Sequence, residues 1–286
     1  MAGRNGAPSY LLTSGPGRSG RGRAVAVLGG VGVLALLLVI GLVVSLTGLF
    51  ASDDSSSPAA GAGSSADTAP PAAVPAVGSG PQAEAALSAQ PMISLPDQAA
   101  LPHALSTRTA GPAITLPLPQ QVAGTLVATG FPATPEGAIG QLSELMQVGM
   151  AGGDPQVWAQ AYASLAEPGA APAAQTATGR DLVSLRRAAN MAPTGPRTGM
   201  TISWTPTGAQ VKGTTADGSY TVACVLGELV ADYNGRVVNG GWGNCLPMRR
   251  VDGQWRIASG PTAATAPSAW PGSAEAVAAG WQEIRR

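Results

Sequence analysis

The sequence predicts an α+β head joined by a disordered linker to a single N-terminal transmembrane helix. Three observations carry that expectation. Residues 24–50 contain no charged side chain. Residues 51–90 are dominated by Ala, Gly, Pro and Ser, which bury too little to repay their ordering entropy. From residue 134 onward the apolar residues first repeat with a helical period and then alternate between turn dipeptides. The head is therefore expected as three helices packed on a curved, five-stranded antiparallel meander, a cone-like arrangement spanning residues 111–260.

The apolar run opens on Ala24 and ends on Phe50. As a helix it reaches roughly 40 Å, enough to cross a hydrocarbon core of about 30 Å with some tilt. Arg4, Arg18, Arg21 and Arg23 precede it with no acid among them, and Asp53 and Asp54 follow it. Basic residues mark the cytoplasmic side, so residues 1–23 are expected inside as a disordered tail and everything after residue 50 outside. A cleaved signal peptide is the rival. Its apolar region is about half this length, and Leu49 stands where a cleavage site wants a small residue.

Residues 51–110 read as a linker. Pro91, Pro96 and Pro102 extend the irregular stretch past its Ala-rich part. Sixteen basic and sixteen acidic residues balance across the chain, and no basic stripe is available to follow phosphates, which argues against a nucleic-acid partner.

The head opens with Thr134-Pro135-Glu136, an N-cap, a proline at the first helical position and an acid against the positive end of the dipole. Ile139, Leu142, Leu145, Met146 and Met150 then form a helical stripe. Asp154-Pro155 repeats the device for a second helix, with Trp158, Ala161, Tyr162 and Leu165 as its apolar face. A third helix is expected near residues 178–190, with Arg186 and Arg187 on its solvated face. Before these, a short strand is expected around Val122, Leu126 and Val127. After residue 260 comes an extension, residues 261–286. It ends in a short helix capped by Ser273, with Val277, Trp281 and Ile284 on one face.

From Met200 the period is two. Thr207-Gly208, Asp217-Gly218, Asn234-Gly235 and Asp252-Gly253 read as turns separating five strands, and the last three are hairpin signals. Two of the strands are long enough to need curvature, for which Gly240, Gly241 and Gly243 offer bulge sites. The hairpin at Asn234-Gly235 pairs Tyr233 with Arg236, so facing residues sum to 469. Cys224 and Cys245 also sum to 469 and are expected to form a disulfide, unless a bulge shifts the count. Two cysteines in an exported segment favour such a bridge over a metal site.

Three helices over a bent antiparallel sheet that closes on Val251-Asp252-Gly253-Gln254-Trp255-Arg256-Ile257 resemble the nuclear transport factor 2-like fold. The Thr-Pro-Glu-Gly-Ala opening at 134–138 and the Trp-Pro-Gly-Ser-Ala run at 270–274 resemble exported domains of actinobacterial single-span membrane proteins encoded with conjugative elements. The resemblance covers about residues 120–286. One departure stands out, since the fold has a strand between its second and third helices and residues 167–177 show none.

Little chemistry is available. The chain's one histidine, His103, lies in the linker, and neither a nucleophilic pair nor a zinc set can be assembled from the head's residue types. No catalytic residue, metal ligand or cofactor site is predicted. Glu228 and Asp232 are candidates for paired carboxylates or for solvated strand residues. Trp158, Tyr162, Trp242 and Trp255 either line a cone cavity or fill the core. The resemblance implies a non-catalytic bitopic protein, held in the plasma membrane by residues 24–50. Its expected role is a scaffold or assembly subunit of a conjugative, type IV-like secretion apparatus, with envelope proteins as partners or as a homo-oligomer. An accessory subunit of an envelope lipid-import system, or a small-ligand-binding module, is the alternative.

Overall fold

The computed structural model describes residues 78–286. The predicted tail, the apolar span and the linker up to residue 77 lie outside the described residues. Among the described residues, no helix is long and apolar enough to cross a membrane. The head is α+β, a half-barrel built from a curled, mixed six-stranded sheet with helices against it.

Three helices cover one face of the sheet. α2 (Pro135–Gly149) and α3 (Pro155–Leu165) start where the caps predict, and α4 (Ala177–Ala188) starts one residue before the expected 178, behind Thr176 as its cap. Thr134 accepts from the Gly137 amide at 3.1 Å, Asp154 from the Gln156 amide at 2.8 Å and Thr176 from the Gly179 amide at 3.0 Å. Each satisfies an amide that the first turn would leave unpaired. The helical stripes bury Ile139, Leu142, Leu145, Trp158, Leu165 and Leu182 against the sheet.

The sheet runs in the order β1-β6-β2-β3-β4-β5, where β1 is Ile114–Thr115, β2 Met200–Thr214, β3 Tyr220–Tyr233, β4 Arg236–Val251, β5 Gln254–Ile257 and β6 Gln282–Arg285. The middle four form the predicted antiparallel meander. The count differs from expectation at two places. Thr207-Gly208 is a bulge inside one continuous strand rather than a turn between two, and a second bulge falls at Lys212. Each inserts one unpaired residue into β2, and an inserted residue adds bend and twist to the strand that carries it. The sheet also gains strands at its far edge. The chain end was expected to be helical throughout. Instead α5 (Ala274–Ala278) stops early, Gly280 turns at φ +87°, and β6 pairs with β2 on one side and in parallel with β1 on the other.

β3 and β4 keep one register from Tyr220↔Arg249 to Tyr233↔Arg236. Cys224 faces Cys245 and the two are disulfide-bonded, with Cα atoms 4.1 Å apart. Gly241 and Gly243 do not bulge. They let another segment cross close by: a Cβ on Gly241 would lie 1.7 Å from the Ala269 carbonyl, and one on Gly243 2.7 Å from that of Pro267. The expected strand at 122–127 is a loop closed by a bridge between Gln121 and Thr129, with Val122 and Leu126 exposed and Val127 buried.

The opposite face of the sheet has its own core, and irregular chain covers it. The sequence assigns residues 51–110 to a linker, but residues 78–110 fold onto the sheet. Within them α1 (Pro81–Ala89) drives Leu87 against Gly213, and Met92 sits over the disulfide with its Sδ 3.3 Å from Cys245 Sγ. Tyr220, Val222, Cys224, Leu226, Cys245 and Trp281 complete this core with Leu87. Composition concealed the fold here because alanine and proline pack as well as they unwind, given a partner surface. Polar contacts fix the segment. Arg249 pairs with Glu84 at 2.7 Å and with Glu167, Ser88 Oγ meets the Tyr220 hydroxyl at 2.5 Å, and the buried Lys212 ammonium donates to the Ser88 carbonyl at 2.9 Å. His103, read as a linker residue, bonds Glu275 of α5 at 2.9 Å.

Arg186 is a further correction. It is not on a solvated face but buried, donating to the carbonyls of Ala192 at 2.7 Å and Gly153 at 3.2 Å, while Arg187 is exposed. A guanidinium at the end of α4 collects carbonyls from two loops, which satisfies its donors without a carboxylate.

Candidate functional site

β5 is short and reaches only residues 248–251 of β4. Below that point no strand among the described residues continues beside β4. Ladder alternation turns the main-chain groups of Gly243, Cys245 and Pro247 away from β3, since each stands an odd number of residues from the closing pair at Arg236. The neighbouring contacts agree. The Pro247 carbonyl accepts from the Ala258 amide at 2.9 Å, and the Gly243 amide donates to Ser268 Oγ at 3.2 Å. Between them the amide and carbonyl of Cys245 face outward, and among the described residues no hydrogen bond from outside the ladder meets them. Pro247 has no N–H to offer, a residue suited to an edge.

This open edge is one wall of a cavity of about 280 Å³. The second wall is the segment 258–268, made of small and uncharged residues. The third is the start of α4 with Tyr162 of α3, and it brings the charge: Arg180 and Asp181. Arg180 is exposed and donates to the Gln175 carbonyl at 2.5 Å. Asp181 is half-buried, and no hydrogen bond or ion pair among the described residues engages its carboxyl. Burial pushes that carboxyl up to about 6, with the Arg180 charge opposing. Burial likewise pushes the Tyr162 phenol up to about 12, so it is a neutral hydroxyl. The site offers a peptide-like donor and acceptor on one side and an unmatched carboxyl on the other.

The aromatic residues singled out in the sequence divide. Trp158 and Trp255 are fully buried in the helix-side core, where Trp158 Nε1 donates to Thr176 Oγ1 at 3.1 Å and Trp255 Nε1 to the Pro132 carbonyl at 2.8 Å. Trp242 packs partly buried against the same core, its carbonyl accepting from Trp204 Nε1 at 3.2 Å. Tyr162 alone of the four reaches the cavity. Glu228 and Asp232 serve separate partners: Glu228 accepts from Asn239 at 2.7 Å, and Asp232 accepts from the Gly235 amide at 2.8 Å in the hairpin turn.

Asp181 and the Cys245 main chain were not found from sequence. Asp181 carried a signal, because it lies three residues after the buried Thr178 and four before the buried Leu185, on the inward side of its helix. The Cys245 edge carried none, since an unpaired strand edge depends on where a neighbouring strand stops. Among the described residues no group of three or more His, Cys, Asp or Glu side chains is placed to hold a metal ion. Compared with known proteins, the chain matches no family model, no curated protein and no solved structure.

Proposed function

We propose that this chain is a membrane-tethered, non-catalytic docking protein, a scaffold or assembly subunit of a conjugative, type IV-like secretion apparatus, with its head as a variant of the nuclear transport factor 2-like cone fold. The observation that carries the reading is the open edge of β4 beside a polar cavity. Natural sheets cap such edges unless they serve pairing, and strand addition is a common mode of recognition. The apolar run at 24–50, the arginines before it and the proline-rich chain after it supply the tether and its orientation.

A photo-crosslinking residue at the exposed Thr262, on the cavity rim, tests the proposal in native membranes. Adducts with envelope proteins or with a second copy are expected. Recovery as a monomer, with a lipid retained by the purified protein, overturns it in favour of the lipid-import alternative. A C-terminal alkaline phosphatase fusion checks the orientation, and an inactive fusion overturns the proposed topology.

A further inference from the structure

Cys245, with its unpaired main chain, and Asp181, with its unmatched carboxyl, line one cavity. We propose that the cavity takes a short extended peptide carrying a lysine or arginine, its backbone adding to β4 at Cys245 and its cation meeting Asp181. The inference rests on the reading of the head as a docking module and names the chemistry of what docks.

The hydrogen-bonding pattern selects the backbone. One residue's amide and carbonyl pointing the same way is the unit that a neighbouring strand pairs with. Of the flanking outward groups the Gly243 amide is held by Ser268, the Pro247 carbonyl by Ala258, and Pro247 has no amide, so Cys245 alone offers both a donor and an acceptor. The free register is therefore one residue long, with the ligand's ends running out along the edge. The volume agrees, since about 280 Å³ lies just below the usual range for a small-ligand pocket and suits a few residues rather than a folded partner. Ala89, Ala171, Ala177 and Gly260 line the space without filling it.

Charge selects the side chain. Arg180 of the same helix and the neutral Tyr162 of α3 are the titratable neighbours of Asp181 on the cavity wall. β4 and the segment 258–268 bring none apart from the bonded Cys245. A partly desolvated carboxyl without a partner gains from a cation in the same space. An acidic side chain is repelled by it. As pH falls through about 6 the carboxyl takes a proton and the preference for a basic peptide fades.

Titration calorimetry on the full chain at pH 7.5 tests this with three blocked tripeptides, acetyl-Ala-Lys-Ala-amide, its glutamate counterpart and a version methylated on the lysine backbone nitrogen. The lysine peptide is expected to bind about tenfold more tightly than the glutamate one, and backbone methylation to weaken it by about tenfold, the effect of one lost directed interaction in each case. Asp181→Asn is expected to bring the lysine and glutamate peptides within about twofold of each other, and Ala177→Phe, which fills the cavity, to abolish binding. Equal binding of the lysine and glutamate peptides, indifference to backbone methylation, an unchanged preference in Asp181→Asn, or no saturable binding to the unsubstituted chain each overturns the inference. Crosslinked partners at Thr262 alongside any of these failures leave the docking reading standing and remove the basic-peptide ligand alone.

Discussion

The two faces of the sheet solve one problem by different means. The helix-covered face is closed by α2, α3 and α4, each started by its own cap and each contributing a periodic apolar stripe. The opposite face is closed by two largely irregular stretches, residues 78–110 and 258–281, which carry short side chains, many prolines, a nine-residue helix and a five-residue one. Local propensity builds the first cover before it meets the sheet. The second has little structure of its own to bring, so it packs through Met92 on the disulfide that ties β3 to β4 and is fixed by charged side chains that reach from the sheet into it. Regular elements carry their stability in packing, whereas irregular ones concentrate it in a few crosslinks.

Removing the largest packed group from the helical face gives the largest effect. Trp158→Ala deletes a side chain that is fully buried and lies over Gly149, and a loss of about 3–5 kcal/mol is expected in chemical denaturation. If the opposite cover unfolds first and separately in that variant, the two faces are independent units. A single transition makes them one.

The disulfide comes next. Replacing Cys224 and Cys245 together by alanine opens a loop of 21 residues and is expected to cost about 3 kcal/mol in the chain-entropy model. Hydrogen exchange on residues 81–92 checks that the loss falls on the irregular cover. Equal loss of protection in α2 contradicts the division of labour between the faces.

Arg249→Met leaves Glu84 and Glu167 without their shared cation. The Arg249 side chain is a quarter exposed, which moderates the penalty to about 1–2 kcal/mol. Faster proteolysis between residues 78 and 92, with the helical core intact, is the expected signature.

Asp181→Asn works in the opposite direction. The folded carboxyl is raised to about 6 from an ordinary 3.8, so the folded chain binds the proton more tightly than the unfolded one. Its destabilising contribution is absent below pH 3.8, grows as pH rises and is complete above about 6. The variant is expected to be more stable than the parent by about 1 kcal/mol at pH 7.5, a figure reduced for partial exposure, and equal to it near pH 3.5. Thermal melts at the two pH values check this.

The smallest effect belongs to His103. Its hydrogen bond to Glu275 holds the imidazole above its usual value and the carboxylate below its own. The contact is therefore strongest below pH 6.5 and above the range in which Glu275 takes a proton, and it weakens as pH rises through the raised histidine value. Protection factors at the start of α5, corrected for the intrinsic pH dependence of exchange, are expected to fall as pH rises above 6.5, and His103→Gln to remove that fall.

Legibility in the sequence followed the same division. Caps at Thr134, Asp154 and Ser273 and the periodic stripes were readable because they are local. The Cys224–Cys245 register was readable because a two-residue turn and a cysteine spacing fixed it twice. The bulge at Thr207 was mistaken for a turn because both interrupt alternation and both accept Gly208. The cover formed by residues 78–110 was missed because its order comes from distant partners such as Gly213 and Arg249. The cavity was missed for a related reason, since a main-chain edge has no side-chain signature.

Lys212 has a practical consequence. It is the chain's one lysine, and in the folded head its amine lies under α1, tied to the Ser88 carbonyl. Burial lowers it to about 8, a shift that lasts only while α1 covers the amine. Acylation by a succinimidyl ester should proceed at the rate at which α1 lifts from the sheet. A lysine engineered onto any exposed position would then be modified far faster than this native one, leaving Lys212 as a slow internal clock for the same preparation.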